Sequence, residues 1–183
     1  MMTTTTATTT NTPTTRRQLA RTAMASPIGE LTIFATDDAV VAIRWDHEPF
    51  DARLTGDVVD VPHGQHAVLD EAVRQLDEYF DGVRREFDLP LEPNGTPFQH
   101  QAWTALQGIP FGETISYGEQ ARRLGDRNKS RAVGAANGKN PIPIVVPCHR
   151  VIGANGHLTG FGGGLDVKAW LLDHELRVRS RAS

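Results

Sequence analysis

Hydrophobic and polar residues alternate in two short runs near the start of the chain, on either side of an acidic pair. The runs are LTIFAT and AVVAIRW, and Asp37 and Asp38 lie between them. Alternation with a period of two on both sides of a polar turn predicts a β-hairpin. The segment DVVDV, further along, gives a candidate third strand.

The pattern then changes to a helical period. Between residues 66 and 80 the apolar side chains that recur every three or four positions are Leu69, Val73, Leu76 and Phe80. This spacing predicts a helix that Gly82 ends. Proline, asparagine and glycine punctuate the segment REFDLPLEPNG that follows, so we predict a linker and place a domain boundary after residue 93.

The second half of the chain predicts mainly helices. We expect them from Thr96 to Gly108, from Ser116 to Leu124, from Ser130 or Asn128 to Gly138, and from Asp166 to about Leu176. Thr96 is followed by proline, as is typical of a helix start, and Ser116 and Glu119 have the spacing of a capping box. A glycine follows the last periodic residue of three of these helices, as a stop signal would.

These patterns predict an α/β N-terminal domain followed by a mainly α C-terminal domain with a helix-turn-helix. The first, over residues 25–93, is a small antiparallel sheet plus a helix, and the second covers residues 94–178. We expect tails at 1–24 and 179–183, because the start of the chain is mostly threonine and offers nothing to bury. Its arginines and lack of acidic residues also fit a transit peptide or a twin-arginine signal, although no apolar segment follows.

Composition and charge narrow the function classes. The chain has 183 residues and one cysteine, which excludes an internal disulfide and a zinc site built from several cysteines. No apolar run approaches the roughly 20 residues that span a bilayer, so we expect a soluble, cytoplasmic protein. Residues 1–93 carry 8 Lys and Arg against 16 Asp and Glu, whereas residues 94–183 carry 11 against 6. A basic second half is consistent with a polyanionic partner.

The helices at Ser116–Leu124 and Ser130–Asn137 have the proportions of a helix-turn-helix. The second, SRAVGAAN, is thin because most of its side chains are small, so it can approach a partner closely. Arg131 lies near its N-terminal end, where backbone N–H groups favour phosphate. The alternative is a small-residue helix packed against the core.

The only cysteine, Cys148, follows PIPIVVP, which we interpret as an apolar, strand-like run bracketed by prolines that stiffen the backbone. His149 and Arg150 come next, and a cationic neighbourhood lowers the pKa of a thiol. The alternative is an inert buried thiol. Neighbours on a strand point to opposite faces, so His149 would reach Cys148 only through a turn or a water molecule. Glu175 on the last helix could hold His149 and Lys168 could reach a ligand, unless each forms a surface ion pair.

Three segments together resemble the O6-alkylguanine-DNA alkyltransferases, also called methylated-DNA–protein-cysteine methyltransferases. They are SYGEQARRLG, RAVGAANGKNPIPIVVPCHRVIG and GFGGGLDVKAWLLDHE, and PCHR in this setting is the specific element. The resemblance covers about residues 96–176, and the first half is similar to the family's N-terminal domain only in layout.

The resemblance implies DNA repair by direct reversal of alkylation. The protein would bind duplex DNA through the minor groove, rotate O6-alkylguanine or O4-alkylthymine out of the stack, and move the alkyl group to Cys148. His149 would remove the thiol proton through a water molecule, Glu175 would orient His149, and Asn140 would brace the cysteine loop. Tyr117 would crowd the phosphate and donate toward the base, and Lys168 would lie near the same base edge.

The resemblance also implies the binding surfaces. Arg131 would fill the gap in the stack, and the rest of the DNA-binding face would be Tyr117, Ser130, Ala132, Ala135 and Asn137. The substrate pocket would be lined by Val151, Phe161, Gly162 and Gly163. The thioether product is permanent, so we expect one transfer per molecule by a monomer that can bind DNA cooperatively, with no metal or organic cofactor.

The chain departs from the family pattern at a few positions. Phe161 stands where some relatives have tyrosine and Gly162 where others have serine; we expect methyl transfer to survive both changes. Zinc-binding relatives use N-terminal cysteines that are absent here, so His63 and His66 are expected to be surface histidines.

Three other functions fit parts of the pattern. An alkyltransferase-like protein that only flags lesions lacks the cysteine that this chain has. A cysteine hydrolase or acyltransferase needs a base on the thiol and an oxyanion site. A helix-turn-helix regulator would not need Cys148.

Overall fold

The computed structural model describes residues 18–48, 54 and 56–181, and its first half is a four-stranded sheet with one helix packed on it. The strands are β1 (Gln18–Met24), β2 (Leu31–Ala35), β3 (Val40–Trp45) and β4 (Asp57–Asp60), in the order β3-β2-β1-β4. Helix α1 (Ala67–Phe80) lies against the central strands. This layout matches the predicted α/β first half.

Strands β2 and β3 form the predicted hairpin. They are antiparallel, with Leu31 opposite Trp45 and Ile33 opposite Ile43. Each of these four side chains is buried. Thr36 closes the turn by accepting a hydrogen bond from the backbone N–H of Ala39. The sequence specified the hairpin because its alternation places one continuous apolar face toward the core.

Strand β1 shows that the predicted tail over residues 1–24 was too long. Ala20, Thr22 and Met24 are buried on one face, and Leu19 is buried on the other. The threonine-rich composition of the preceding residues masked this strand, whose pairing partner β2 begins seven residues after β1 ends. Residues 1–17 lie outside the described part of the chain.

The sheet is mixed, and the prediction of a purely antiparallel sheet was wrong. Strand β4 pairs in parallel with β1, with Leu19 opposite Val58 and Arg21 opposite Asp60. The direction of an edge strand depends on how the connection crosses the sheet, which a local pattern does not encode. Arg21 and Asp60 form an exposed ion pair along this edge.

The second half contains four helices and a small parallel pair of strands. They are α2 (Pro97–Gln107), β5 (Ile115–Ser116), α3 (Tyr117–Arg123), α4 (Ser130–Asn137), β6 (Val151–Ile152) and α5 (Leu165–Ser180). Thr96 and Gln99 form a full capping box at the start of α2. Helix α5 continues to Ser180. The helix end expected near Leu176 and the tail start predicted at residue 179 are therefore both too early.

The start of α4 differs from the expectation that Ser130 or Asn128 caps it. Asp126 accepts a hydrogen bond from the backbone N–H of Asn128 at 2.9 Å and starts a short 3₁₀ turn over Arg127–Lys129. That turn runs directly into α4, whose own first turn has no side-chain cap. Asp126, four residues before the first residue of α4, therefore caps the 3₁₀ turn that leads into the helix.

One cluster of buried side chains joins the two halves. It contains Ile33 and Leu76 from the first half and Trp103, Ile142 and Leu171 from the second. The linker adds to this connection, because Val40 of β3 donates to Pro90 O and accepts from Glu92 N. The segment around Cys148 is therefore supported from both sides of the molecule.

Candidate active site and DNA-binding face

The segment that precedes Cys148 is a series of turns, and the prediction of a strand-like run at PIPIVVP was wrong. Residues 141–150 are all buried. Ile144 has a φ of 74°, in the left-handed region that β-branched residues avoid. The Asn140 side chain fixes the turn, since its Nδ2 donates to Val146 O at 2.8 Å and its Oδ1 accepts from Ile142 N at 3.1 Å.

Cys148 begins a 3₁₀ turn, Cys148–Arg150, directly beside Asn140. The Asn140 Nδ2 also lies 3.2 Å from the Cys148 sulfur, as a donor to it. Burial raises the pKa of the thiol to about 11, although the Asn140 hydrogen bond and the charge of Lys168 act against the rise. The thiol is therefore protonated at neutral pH, and a nucleophilic sulfur requires a base.

The 3₁₀ turn aims His149 and Arg150 at the same carboxylate, which strand geometry would have prevented. His149 Nε2 lies 2.8 Å from Glu175 Oε1, and Arg150 binds Glu175 through Nη2 at 2.9 Å and Nε at 3.0 Å. The structure thus brings together Cys148, His149 and Glu175 as the sequence suggested. The contact is a fully buried one rather than a surface ion pair.

Glu175 has two further partners that the sequence did not indicate. The Tyr79 hydroxyl donates to Oε1 at 2.9 Å, and the backbone N–H of Gly112 donates to Oε2 at 2.8 Å. Burial alone would raise the pKa of Glu175, but the hydrogen bonds from His149 and Arg150 and the charge of Arg150 outweigh that effect and hold the pKa at about 2. Glu175 is therefore an anion in the interior.

The negative charge of Glu175 determines which ring nitrogen of His149 carries the proton. An ionised carboxylate only accepts, so Nε2 of His149 carries the proton that it donates. Burial lowers the pKa of His149 below its usual 6.5, which leaves the ring neutral and Nδ1 with a free lone pair. Among the described residues Nδ1 has no hydrogen-bond partner, although it is buried. A neutral imidazole held in this way is arranged as a general base.

Lys168 and Tyr117 both hold the loop after β6 at Thr159. Lys168 Nζ donates to Val151 O at 2.7 Å and to Thr159 O at 2.9 Å, and burial lowers its pKa. The Tyr117 hydroxyl, at the start of α3, donates to Thr159 O at 3.2 Å. Lys168 Nζ lies 5.8 Å from the centre of the Tyr117 ring. Here Lys168 acts as a tether for the loop beneath Tyr117.

The exposed face of α4 presents three of the predicted DNA-binding residues. Arg131, Ala132 and Ala135 are exposed, and Ser130 is half-buried. The prediction that Asn137 belongs to the DNA-binding face was wrong. Asn137 is buried and pairs with Gln120 through two amide hydrogen bonds of 2.7 and 3.1 Å. Its helical position turns it inward, so it locks α4 against α3 and is not available to DNA.

A small cavity opens beside Cys148. It measures about 40 Å³, and its lining includes Phe161 and Gly162, two of the residues predicted to form the substrate pocket. Val151 and Gly163, the other predicted pocket residues, are buried next to it but do not line it. Their places are taken by residues of the first half, Trp45 and Glu48 among them.

Two family models match the chain across both halves. One is described as 6-O-methylguanine DNA methyltransferase, ribonuclease-like domain, over residues 19–93, and the other as 6-O-methylguanine DNA methyltransferase, DNA binding domain, over residues 97–177. The chain belongs to the 6-O-methylguanine DNA methyltransferase family. Cys148, His149 and Glu175 all lie within the second match.

Relatives of the family from bacteria and archaea agree with this assignment. The methylated-DNA–protein-cysteine methyltransferase of Methanosarcina acetivorans is 58% identical over 150 residues, which are 82% of this chain and 94% of the relative. That of Mycolicibacterium paratuberculosis is 49% identical over 152 residues, 83% of this chain and 89% of the relative. The crystal structure of Mycobacterium tuberculosis OGT in complex with DNA superposes with a TM-score of 0.78 at 43% identity, covering 88% of this chain and 94% of that one.

The described residues contain neither a candidate metal site nor a candidate membrane-spanning helix. Among residues 18–48, 54 and 56–181, no group of three or more His, Cys, Asp or Glu is placed to hold a metal ion. In the same part of the chain no helix has the length and apolar character to cross a membrane. His66 caps α1, its Nδ1 accepting from Leu69 N at 3.3 Å, and His63 is exposed.

Sequence reasoning missed four residues at or near the site, namely Trp45, Glu48, Tyr79 and Gly112. Tyr79 carried a faint signal, because a tyrosine next to the apolar face of α1 needs a partner for its hydroxyl once it is buried. Trp45 and Glu48 come close to Cys148 only through the packing of the two halves, and Gly112 meets Glu175 through a contact between residues 63 positions apart in the second half, so no local pattern marks them.

Proposed function

We propose that this protein repairs DNA by moving an alkyl group from O6-alkylguanine to Cys148, once per molecule. The observation that carries the proposal is the buried Cys148–His149–Glu175 arrangement within a chain of the 6-O-methylguanine DNA methyltransferase family. The thiol is protonated at rest, and the neutral His149 beside it is oriented by a carboxylate. A reaction in which the thiol must lose its proton as the sulfur attacks needs such a neutral, oriented histidine as a base.

DNA reaches this site through α3 and α4. The exposed small residues Ala132 and Ala135 let α4 enter the minor groove closely, and Arg131 occupies the space that the extruded base leaves. A base inside a duplex is out of reach, so the damaged nucleotide must rotate out at a cost of a few kcal/mol. Tyr117, at the start of α3, crowds the adjacent phosphate and favours that rotation.

The transfer is a displacement at the alkyl carbon. The thiol proton passes through a water molecule to Nδ1 of His149, the bond from sulfur to carbon forms, and the bond from carbon to O6 breaks. The departing guanine carries negative charge on its base edge, which the Tyr117 hydroxyl stabilises by donating a hydrogen bond. Guanine then takes one proton from solvent and the protonated His149 releases one proton to solvent, so that overall the thiol proton is replaced on sulfur by the alkyl group and one proton is gained by the base. The products are unmodified guanine and an S-alkyl cysteine.

The protein acts once because nothing at the site can reverse the product. A thioether does not hydrolyse readily, and the chain has no second thiol. The same site accepts O4-alkylthymine, whose alkyl group hangs on an equivalent exocyclic oxygen. We further propose that the protein acts as a monomer on DNA in the cytoplasm, associated with the nucleoid in a bacterial cell.

Intact mass after incubation with a duplex that contains O6-methylguanine tests the proposal. We expect a gain of about 14 Da on the peptide with Cys148, limited to one per chain, since one methyl replaces one proton. Cys148→Ser should bind the duplex and leave it unrepaired. A wild-type protein that binds the lesion with its sulfur unmodified would favour a role in flagging damage, and sustained turnover would contradict the proposal.

A further inference from the structure

Four residues of the first half line the cavity beside Cys148, and two of them, Trp45 and Glu48, face the glycine-rich loop. The lining includes Trp45 and Glu48 together with Cys148, Phe161 and Gly162. Trp45 ends β3, and Glu48 lies in the turn that follows it. The proposed transfer chemistry assigns no step to either residue.

Trp45 is held rigidly in this wall. It is 2% exposed, and its indole Nε1 donates to Ile28 O at 3.2 Å. Its ring meets Phe161 edge to face, with 5.6 Å between ring centres. Because a buried indole N–H that loses its acceptor is costly, the ring does not swing aside to admit a larger group.

Glu48 is fixed by its own turn. Its backbone N–H donates to Trp45 O at 3.0 Å, and its Oε2 accepts from Trp45 N at 3.1 Å. The same carboxylate lies 3.1 Å from Arg44 Nε. These contacts hold the Glu48 side chain against the turn that carries Trp45, so both residues contribute to the same lining surface of the cavity.

The glycine-rich loop is pressed against this surface. A Cβ atom added at Gly163 would lie 2.9 Å from the Trp45 ring, and one added at Gly162 would lie 2.8 Å from Glu48 Oε1. Both separations are closer than side-chain carbons approach in real structures. The loop therefore has no space to retreat toward the first half, and the cavity cannot widen in that direction.

We infer that Trp45 and Glu48 set the upper size of the alkyl group that Cys148 accepts. The cavity measures about 40 Å³. A water-sized group such as methyl needs roughly 10–15 Å³ on this scale, whereas a cavity of roughly 150 Å³ holds one benzene ring. The inference rests on the proposed transfer to Cys148 and specifies its substrates as small O6-alkyl groups, with O6-benzyl excluded by the wall.

Trp45→Ala tests the inference, with Trp170→Ala as a matched control. Trp170 is in the second half and stacks on His174 outside the cavity, so Trp170→Ala removes an indole that does not line the cavity. Intact mass gives the rates at which duplexes with O6-methylguanine and with O6-benzylguanine alkylate Cys148. We expect Trp45→Ala to raise the benzyl-to-methyl rate ratio by about tenfold or more, because pocket contacts discriminate groups differing by one methylene by about 10- to 200-fold. The control should keep the wild-type ratio.

A second pair of variants covers the case in which Trp45→Ala does not fold. Gly162→Ser should slow methyl transfer, because its Cβ meets the Glu48 carboxylate, and adding Glu48→Ala should restore much of that loss. A folded Trp45→Ala protein with the wild-type benzyl-to-methyl rate ratio overturns the size limit. The size limit is also overturned if Glu48→Ala does not restore the methyl-transfer rate that Gly162→Ser has lowered. Failure of the wild-type protein to gain a methyl group would instead refute transfer to Cys148 itself.

Discussion

The Tyr79 hydroxyl donates a 2.9 Å hydrogen bond to Glu175, and this bond ties the helix of the first half to the carboxylate that orients His149. Burial raises the pKa of Tyr79 well above 10, with the charge of Glu175 adding to the effect, so the phenol remains a donor at every working pH. The two residues are 96 positions apart in the chain. The first half therefore takes part in positioning His149, the proposed general base.

Tyr79→Phe should lower the free energy of unfolding by about 1.5–3 kcal/mol, the usual value of a hydrogen bond to a charged group. It should also slow alkyl transfer and change the pH dependence of the rate, because Glu175 then holds His149 less firmly. Denaturant unfolding and single-turnover rates between about pH 5 and 9 measure the two effects. A stability loss with an unchanged pH profile would show that the hydroxyl is structural only.

Glu175→Gln should destabilise the protein by about 3–5 kcal/mol, because it leaves the buried Arg150 without its counter-charge. The pKa of Glu175 is lowered from 4.5 to about 2, so its contribution is complete above pH 4.5 and is lost as the pH falls toward 2. The stability gap between wild type and variant, measured by denaturant unfolding, should narrow over that range. A gap that is constant with pH would contradict the buried ion pair.

His149→Ala should change how the transfer rate depends on pH. In the wild type, burial lowers the pKa of His149 below 6.5, so the ring is neutral at neutral pH and the rate should be level there and fall in acid. Without the base, the rate should follow the thiolate of Cys148 and rise about tenfold per pH unit toward its pKa of about 11. His63→Ala, at an exposed site, is the control. A level profile in His149→Ala would show that another group takes the proton.

Arg131→Ala should reduce repair in duplex DNA by at least about tenfold and affect single-stranded DNA much less, because the arginine offsets part of the few kcal/mol that unstacking costs. Arg127→Ala removes one charge from the neighbouring exposed turn and is the matched control. Rates on duplex and single-stranded oligonucleotides with the same lesion provide the comparison. Equal losses on both substrates would mean that Arg131 contributes charge alone.

The local patterns of the sequence determined the hairpin β2–β3, the helices and most of their ends. These features depend on side-chain periodicity and on capping residues a few positions apart, such as Thr96 and Gln99. The thiol, the histidine and the family were also readable, because PCHR and the flanking segments are contiguous. The sequence also placed Glu175 on the helix that delivers it.

Tertiary structure alone decided the direction of β4, the strand hidden at Gln18–Met24 and the inward turn of Asn137. It also decided that Cys148 and His149 lie on a 3₁₀ turn, that Tyr79 bonds to Glu175, and that Trp45 and Glu48 wall the cavity. Each of these depends on groups far apart in the chain meeting in a buried space, where the cost of an unpaired polar atom or an overlapping carbon fixes the outcome. A linear pattern records which side chains are available, whereas burial decides which of them meet.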